Sequence, residues 1–329
     1  MMGSLRNVAL AAATLAAAAG GAPITATAQP FPSKPVSIIV TSAPGGAADA
    51  TARMLALHLG KAWNQKVVVE NKPGSNTQVA AEYVAKAAPD GHTLLLGPDV
   101  TFTVNPHLYR KLSYDPVKHF EPITGLTVLH QALVTHPSLA ANSVAELIAA
   151  AKAKPGALNY GTFGLGSAGH LNMEALQSLS GVKLTAVHYR GAAPAMADVI
   201  AGNTQIMFVS FGSALQSWKA GQIKILAVGS PKRLAGYPDL PTVAEGGFPG
   251  FEAKSWFGLF ATGGTPAPVV KRINADVRKI VDSPEFATTF LTEQMMQPIT
   301  STPESYAELI RTDSRLWAKV IAAANLKLD

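Results

Sequence analysis

The segment VSIIVTSAPGGAADATARMLALHL, residues 36–59, passes from a β-branched run through a glycine-rich turn into a helical pattern. Val36–Thr41 is a strand candidate and Ala48–Leu59 a helix whose apolar residues recur at helical spacing. The same succession recurs downstream. Further strand candidates are Lys66–Glu70, Thr93–Gly97, Gln131–Thr135, Ala157–Tyr160, Lys183–Val187, Thr204–Val209, Ile223–Val228 and Ser255–Phe260. Gln78–Ala87, Ser143–Lys154, His170–Leu179 and Ala193–Ala201 have helical length and period. Ser143 with Glu146 makes a capping box. Thr265-Pro266 and Ser283-Pro284 each set a capping hydroxyl before a proline at a first helical position. From Ala267 onward the pattern is helical with few strand signals. Alternation of this kind predicts an α/β chain of parallel sheets covered by helices. At 329 residues the chain exceeds what one core supports, so two domains are expected.

In open parallel sheets ligands lie outside the carboxyl ends of strands, near helix N-termini. Three strand-to-helix loops are rich in glycine and small polar residues. The first runs from Ser42 through Ala43, Pro44, Gly45, Gly46 and Ala47 to Asp49. The second, from Asn71, holds Gly74, Ser75, Asn76 and Thr77. The third, Gly161 to His170, holds Thr162, Phe163, Gly164, Gly166 and Ser167. Glycine lets backbone N–H groups approach an anion, and the helix that follows adds the positive end of its dipole. One such loop is explained by a tight turn; three in one chain favour a site for a carboxylate or similar anion. Asp49 and Arg53 are spaced for an i,i+4 surface pair worth about 0.2–0.5 kcal/mol, or for Asp49 to hold the loop while Arg53 tunes its field. Arg190, in Tyr189-Arg190-Gly191, is placed either to fork a carboxylate or to bond loop carbonyls. His170, at a glycine-rich helix start, either donates to an anion or caps the turn.

Other chemistries are excluded or disfavoured. Cysteine is absent, which removes disulfides, thiolate zinc sites and a cysteine nucleophile. Lys+Arg is 27 against Asp+Glu 21, a formal +6 without the basic run that a nucleic-acid partner would need. Gly164-x-Gly166-x-x-Gly169 matches the dinucleotide fingerprint in form, but the region about 20 residues on has no acid. No Walker A sequence occurs, and neither a cofactor nor a metal is expected. Ser167, Ser210 and Ser213 all fail the Gly-x-Ser-x-Gly pattern. An exported serine hydrolase with a non-standard triad, using Ser167 with His170 or His188, stands as the second reading. The eight histidines form no His-x-x-x-His pair, and most are expected on the surface or in loops. Trp63, Trp218, Trp256 and Trp317 are expected to serve the core. Residues 1–28 read as a secretory signal peptide: Arg6, an apolar run from Val8 to Ala19, and Ala26-Thr27-Ala28 as the cleavage pattern after which the chain is cut. A periplasmic protein is therefore expected.

Read together, the loops and the text between them resemble the extracytoplasmic solute receptors of tripartite tricarboxylate transporters, the Bug-type periplasmic solute-binding family. The resemblance is carried by residues 43–53 (APGGAADATAR), Glu70-Asn71-Lys72-Pro73-Gly74, residues 88–95 (APDGHTLL) and Asn105-Pro106-His107-Leu108-Tyr109. It continues through Tyr114-Asp115-Pro116 with Phe120-Glu121-Pro122, Gly166-Ser167-x-x-His170-Leu171, and residues 189–195 (YRGAAPA). Leu240-Pro241-Thr242-Val243-Ala244-Glu245, Trp256-Phe257-Gly258-Leu259 and Gly264-Thr265-Pro266-Ala267-Pro268 complete it. The resemblance implies a two-lobed, type II-like periplasmic binding fold with a hinge, each lobe a mostly parallel sheet flanked by helices. Residues 29–130 with 252–329 would form lobe 1, and 131–251 lobe 2. It implies a small carboxylate held by backbone amides, loop hydroxyls and ordered water. Lobe 1 would offer Ser42 to Asp49 and Gly74 to Gln78. Lobe 2 would offer Thr162 to His170, Tyr189, Arg190 and Gly191, with Ser210 and Phe211. The implied partners are the permease subunits of such a transporter, or a membrane sensor if the output is signalling, and the receptor would be a monomer. Two positions depart from the family: Ser42 stands where an aromatic is usual, and Ser75-Asn76-Thr77-Gln78 replaces a glycine-rich pair.

Overall fold

The computed structural model describes residues 31–286, 291 and 295–328. The expected signal peptide and its cleavage point lie outside them. No helix among the described residues is long and apolar enough to cross a membrane.

The opening segment folds as its pattern dictates. β1 (Val36–Val40) pairs in parallel with β2 (Val67–Asn71) and β3 (Thr93–Pro98). Alternation sends Ile38 and Val40 to one face, where α1 (Ala47–Trp63) lays Ala48, Ala52, Leu55 and Leu59, and α9 (Ala267–Val281) lays Val270, Ile273 and Val277. Ile39 and Leu95 go to the other face, against Ala80, Ala81 and Val84 of α2 (Gln78–Ala85). A second parallel unit is built from β5 (Asn159–Thr162), β6 (Thr185–His188) and β7 (Ile206–Ser210), with β5 in the middle. Around it lie α5 (Val144–Ala153), α6 (Ala168–Ser180), α7 (Ala192–Ile200) and α8 (Phe211–Lys219), whose apolar faces make two further core clusters.

Two antiparallel strands join these units, so the sheet is mixed and not wholly parallel. A chain that crosses to a second unit and returns must run in both directions. β4 (Phe120–Thr135) pairs with β9 (Lys254–Thr262) as far as His130, then from Gln131 with β7 and with β8 (Lys224–Val228). At the exchange the Gln131 N–H donates to the Ala253 carbonyl (2.8 Å), the Gly229 N–H to the Gln131 carbonyl (2.7 Å) and the Ala253 N–H to the Gly229 carbonyl (2.9 Å). Position 229 must be glycine here, because a Cβ would overlap the Ala253 backbone. The strand order is β2-β1-β3-β9-β4-β7-β5-β6, with β8 and the short β10 (Gln297–Pro298) also on β4.

Several elements differ from expectation. β4 starts at Phe120 and not at Gln131; Pro122 and Gly125 read as breakers but are absorbed as register shifts. α8, α3 (Asp99–Thr103) and α4 (Asn105–Leu108) were not expected as helices. Pro266, not Thr265, holds the cap position of α9, and the Thr265 hydroxyl donates to the Thr262 carbonyl (2.7 Å). Ser143 accepts from the Glu146 N–H as a cap should, but the Glu146 carboxylate reaches back to the Asn142 N–H. Ser283 does accept from the Phe286 N–H.

α10 (Pro303–Ala323) sits across one end of the molecule. Its Asp313 accepts from the buried Trp256 indole N–H (2.7 Å). Its Trp317, Val320 and Ile321 pack with Leu108 of α4 and Leu171 of α6, touching both units. Tyr306 lies over Gly258 of β9, whose register partners Gly97 on β3 and Gly125 on β4 are also glycine. Its hydroxyl is buried without a hydrogen-bond partner, directly over Gly258. Gly258→Ala is therefore expected to lower stability by about 3 kcal/mol, since the fully buried ring has nowhere to retreat. Tyr306→Phe, which deletes an unsatisfied hydroxyl, is expected to be neutral or stabilising by up to about 1 kcal/mol. Urea denaturation measures both, and a wild-type midpoint for Gly258→Ala would contradict the packing described.

Candidate functional site

The first loop follows β1 and is exposed from Ala43 to Gly46. Gly46 caps α1 with extended backbone and no side-chain hydrogen bond, so the first-turn amides have no side-chain acceptor. Asp49 holds this loop from inside. One of its oxygens accepts from the Gly45 N–H (3.0 Å) and from Arg53 Nε (2.9 Å), the other from Asn71 Nδ2 (2.9 Å). Asn71 also donates to the Ser42 carbonyl (3.0 Å), and Arg53 donates to the Asn71 side-chain oxygen (3.2 Å). The Arg53 hydrogen bond, against the opposing effect of burial, brings the Asp49 carboxyl down to about 2. Both Asp49 oxygens are thus engaged within the protein, and its part is to shape the loop. Ser42 Oγ is buried without a protein partner.

The second loop is strained. Gly74, Ser75, Asn76 and Thr77 all have positive φ (132°, 45°, 48° and 76°), and three of them are not glycine. Such residues cost about 1 kcal/mol or more each. A buried polar network holds them. Asn76 and Asn105 exchange hydrogen bonds: Asn76 Nδ2 to Asn105 Oδ1 and Asn105 Nδ2 to the Asn76 carbonyl, both 2.8 Å. Thr101 donates to the Thr77 hydroxyl (2.9 Å), and Tyr114 donates to the Thr101 carbonyl (2.6 Å). Thr77 then caps α2 without a side-chain bond.

The third loop closes on itself. The Thr162 hydroxyl meets Gly164 N–H (3.3 Å) and His188 Nδ1 (2.8 Å). Ser167 accepts from the His170 backbone N–H (3.4 Å), and His170 Nδ1 accepts from the Gly166 N–H (3.1 Å). His170 Nδ1 thereby closes the turn, one of the two roles expected for this residue. His170 Nε2 lies 3.8 Å from Glu174, whose carboxylate also accepts from Tyr160 and Gln177. Burial, with a smaller effect of nearby His188, lowers the His170 imidazole to about 4, so it is neutral at pH 7. Neither the His170 nor the His188 ring is hydrogen-bonded to the Ser167 hydroxyl, whose bond to His170 is through the backbone N–H. His92, His130 and His170 are buried, more than the sequence suggested. Gly191 caps α7 without a side chain at φ 121°. Arg190 is exposed and makes no side-chain hydrogen bond or ion pair among the described residues, so it does not bond loop carbonyls. Tyr189 is turned away to Asp198.

Contacts connect the three loops. Asn71 bonds loop one, the network on Asn105 holds loop two, and Leu108, on the same short helix as Asn105, packs against Gly166 of loop three. The starts of α1 and α8 line one cavity of about 330 Å³, walled by Ala47, Leu129, Ser210, Gly212, Ser213, Leu215, Gln216, Met295 and Met296. Of the expected residues this cavity takes Ala47 and Ser210. Ser210 caps α8 and shares a 2.6 Å hydroxyl contact with Ser213. Phe211 is buried behind them in the core of the second unit. The other expected residues stand outside these walls. Sequence reasoning missed Leu129, Gly212, Ser213, Leu215, Gln216, Met295 and Met296, which gather from distant segments and leave no local motif. It also missed Asn105 and Thr101, although the pairing of a left-handed loop with buried amides has no sequence signal of its own. No group of three metal-ligating side chains occurs among the described residues.

Comparison with known proteins places this geometry. A family model described as "Tripartite tricarboxylate transporter family receptor" matches residues 51–326. Protein BugT of Bordetella pertussis is 30% identical over 328 residues, covering 99% of this chain and 100% of that protein. The R. palustris structure of Rpa4515 with adipate superposes with a TM-score of 0.80 at 33% identity, covering 90% of this chain and 99% of that one. MatC from Rhodopseudomonas palustris with bound malate gives 0.74 at 31% identity, covering 88% and 100%.

The buried imidazole makes the third loop sensitive to acid. His170 takes up a proton more readily in the unfolded chain, near 6.5, than in the folded one, at about 4. Its contribution to stability is complete above pH 6.5 and is lost as the pH falls through 4. Asp99 acts in the opposite sense: burial raises it to about 7, so the folded state retains its proton in the same range. The informative quantity is thus the difference between wild type and His170→Asn. Chemical denaturation at pH 7 and pH 4.5 is expected to show wild type losing on the order of 2 kcal/mol relative to the variant. A pH-independent difference would mean that the imidazole is not held neutral.

Proposed function

This chain belongs to the tripartite tricarboxylate transporter receptor family, and from that premise we propose that it captures a small carboxylate between two lobes and delivers it to the membrane permease. The family's members are periplasmic solute-binding receptors. For this chain we assign residues 29–130 with 252–329 to one lobe and 131–251 to the other, and the periplasm as its location. The observation that carries the reading is the cavity shared by the start of α1, in the first lobe, and the start of α8, in the second. A ligand there touches both lobes, and closure about the exchange point in β4 would remove it from water.

The chemistry supports an anion. The uncapped first turn of α1 offers N–H groups and the positive end of a helix dipole, and Ser210 and Ser213 add hydroxyls. Burying a carboxylate is costly unless such donors replace its water. The relatives with adipate and with malate indicate carboxylates of four to six carbons as first probes. Binding without transformation is supported by the family, whose members are solute-binding receptors.

Delivery requires a permease that recognises the closed form, and a monomer is the state in which both lobes move freely. Differential scanning fluorimetry over mono-, di- and tricarboxylates tests the capture step. A ligand at 100 times its Kd is expected to add about 2.7 kcal/mol of stability, while its neutral amide adds none. Ser167→Ala is expected to leave that shift intact. A folded protein with no shift across the panel, or ester turnover lost on Ser167→Ala, would overturn the reading.

A further inference from the structure

The walls of the interlobe cavity bear on the chemistry of what fills it. Among the described residues that wall it there is no Lys, Arg, His, Asp or Glu. Leu129 comes from β4, Leu215 from α8, and Met295 and Met296 from the segment before β10, so four apolar side chains reach one space from three parts of the chain. Met295 packs against the core of the second unit and Met296 within that of the first, which sets this pair where the two cores meet. Met295 has a left-handed φ of 54°. The polar side chains among the described walls are Ser210, Ser213 and Gln216. Ser210 and Ser213 are already bonded to each other, Gln216 is exposed and uncharged, and α1 starts at Ala47 without a side-chain cap.

One anionic head has donors here, at the start of α1 and the paired hydroxyls. A ligand crowded with hydroxyls or carboxylates does not, because its further polar groups would lie against Leu129, Leu215 and the methionines and lose water without gaining a partner. An apolar body gains instead, and the flexible thioethers adapt to a chain or to a ring edge. Resting on the receptor reading above, we infer that the ligand is a carboxylate with a hydrocarbon body, aliphatic or aromatic, and that Leu129, Leu215, Met295 and Met296 select it over hydroxylated di- and tricarboxylates.

Isothermal titration of the purified protein with hexanoate, adipate, benzoate, malate and citrate tests this. At least one of the first three is expected to bind about tenfold or more tightly than malate or citrate. Hexanoate and adipate against benzoate separate chain from ring. Leu215→Asn and Met295→Gln are each expected to weaken the tightest hydrocarbon ligand about tenfold, while Met295→Leu, which keeps volume and apolarity, holds within about threefold. Circular dichroism establishes that each variant is folded, and Met295→Gln carries the test if Leu215→Asn is not. Malate or citrate as the tightest ligand, or a hydrocarbon ligand indifferent to every folded polar variant, overturns the inference alone. Failure of all five to bind overturns the receptor reading and this inference with it.

Discussion

The exchange of hydrogen-bonding partners within β4 is the constraint on which the rest of the molecule depends. One strand serves β9 up to His130 and β7 and β8 from Gln131 onward. The knot of main-chain bonds among Gln131, Gly229 and Ala253 fixes the point at which the change occurs. Strand register then sets the cavity. Ser210 is the partner of Gln131 on β7, and Leu129 lies just before the exchange, opposite Ser255 on β9. A polar helix cap and an apolar floor are thereby set on either side of the same short stretch of backbone. Their separation is a property of sheet geometry and does not depend on loop conformation.

Rigidity in the loops comes from different sources. Loop one is held by a charge pair, loop two by a network of uncharged buried amides and hydroxyls, and loop three by an imidazole and a serine cap. The second is the most expensive, since a run of left-handed non-glycine residues persists only where surrounding contacts over-determine it. Asn105, fully buried, supplies most of those contacts, and the short helix bearing it also carries Leu108, which packs on the third loop. A strained turn beside the first parallel unit is therefore linked by packing, through Leu108, to a glycine turn of the second. That is an arrangement in which ordering one loop favours the order of its neighbour.

Much of this was legible in the chain. The strand–loop–helix succession at residues 36–59, the recurrent glycine loops and most helices follow from periodicity, because each depends on neighbours in sequence. β4 was half missed because Pro122 and Gly125 look like strand ends, whereas a bulged strand with Ile299 packed over Gly125 tolerates both. α8 was missed because its polar face, with Ser210, Ser213 and Gln216, dilutes the apolar period at the point where it meets the cavity. At the site, residues that build loops announce themselves through composition, but residues that wall a cavity do not. Leu129 and Met295 are ordinary apolar letters until tertiary structure brings them together. Asp49 was legible in position and ambiguous in role, because an i,i+4 pair on a helix surface and a buried loop anchor have the same spacing.

The role of Asp49 raises an electrostatic question. A carboxylate with its proton lost down to about pH 2 lies in the first turn of the helix whose start is proposed above as the anion site. At an effective dielectric constant of about 20, a bare charge some 6 Å away would oppose a ligand carboxylate by about 3 kcal/mol, more than a helix dipole returns. Arg53, at 2.9 Å from the same oxygen, cancels most of that field because the pair is nearly a dipole at the distance of the ligand. What remains unpaired at the surface is the amides. The Asp49 carboxylate draws the Gly45 N–H inward and, through Asn71, the Ser42 carbonyl toward itself, so the backbone turns with Gly46 and Ala47 left to face solvent. The pair therefore acts in two ways at once: its charges cancel at a distance, and its hydrogen bonds shape the turn at close range. A single Asn at position 49 would retain part of the second effect and remove the first, leaving Arg53 as an uncompensated cation. That difference distinguishes a site designed around backbone dipoles from one designed around charge.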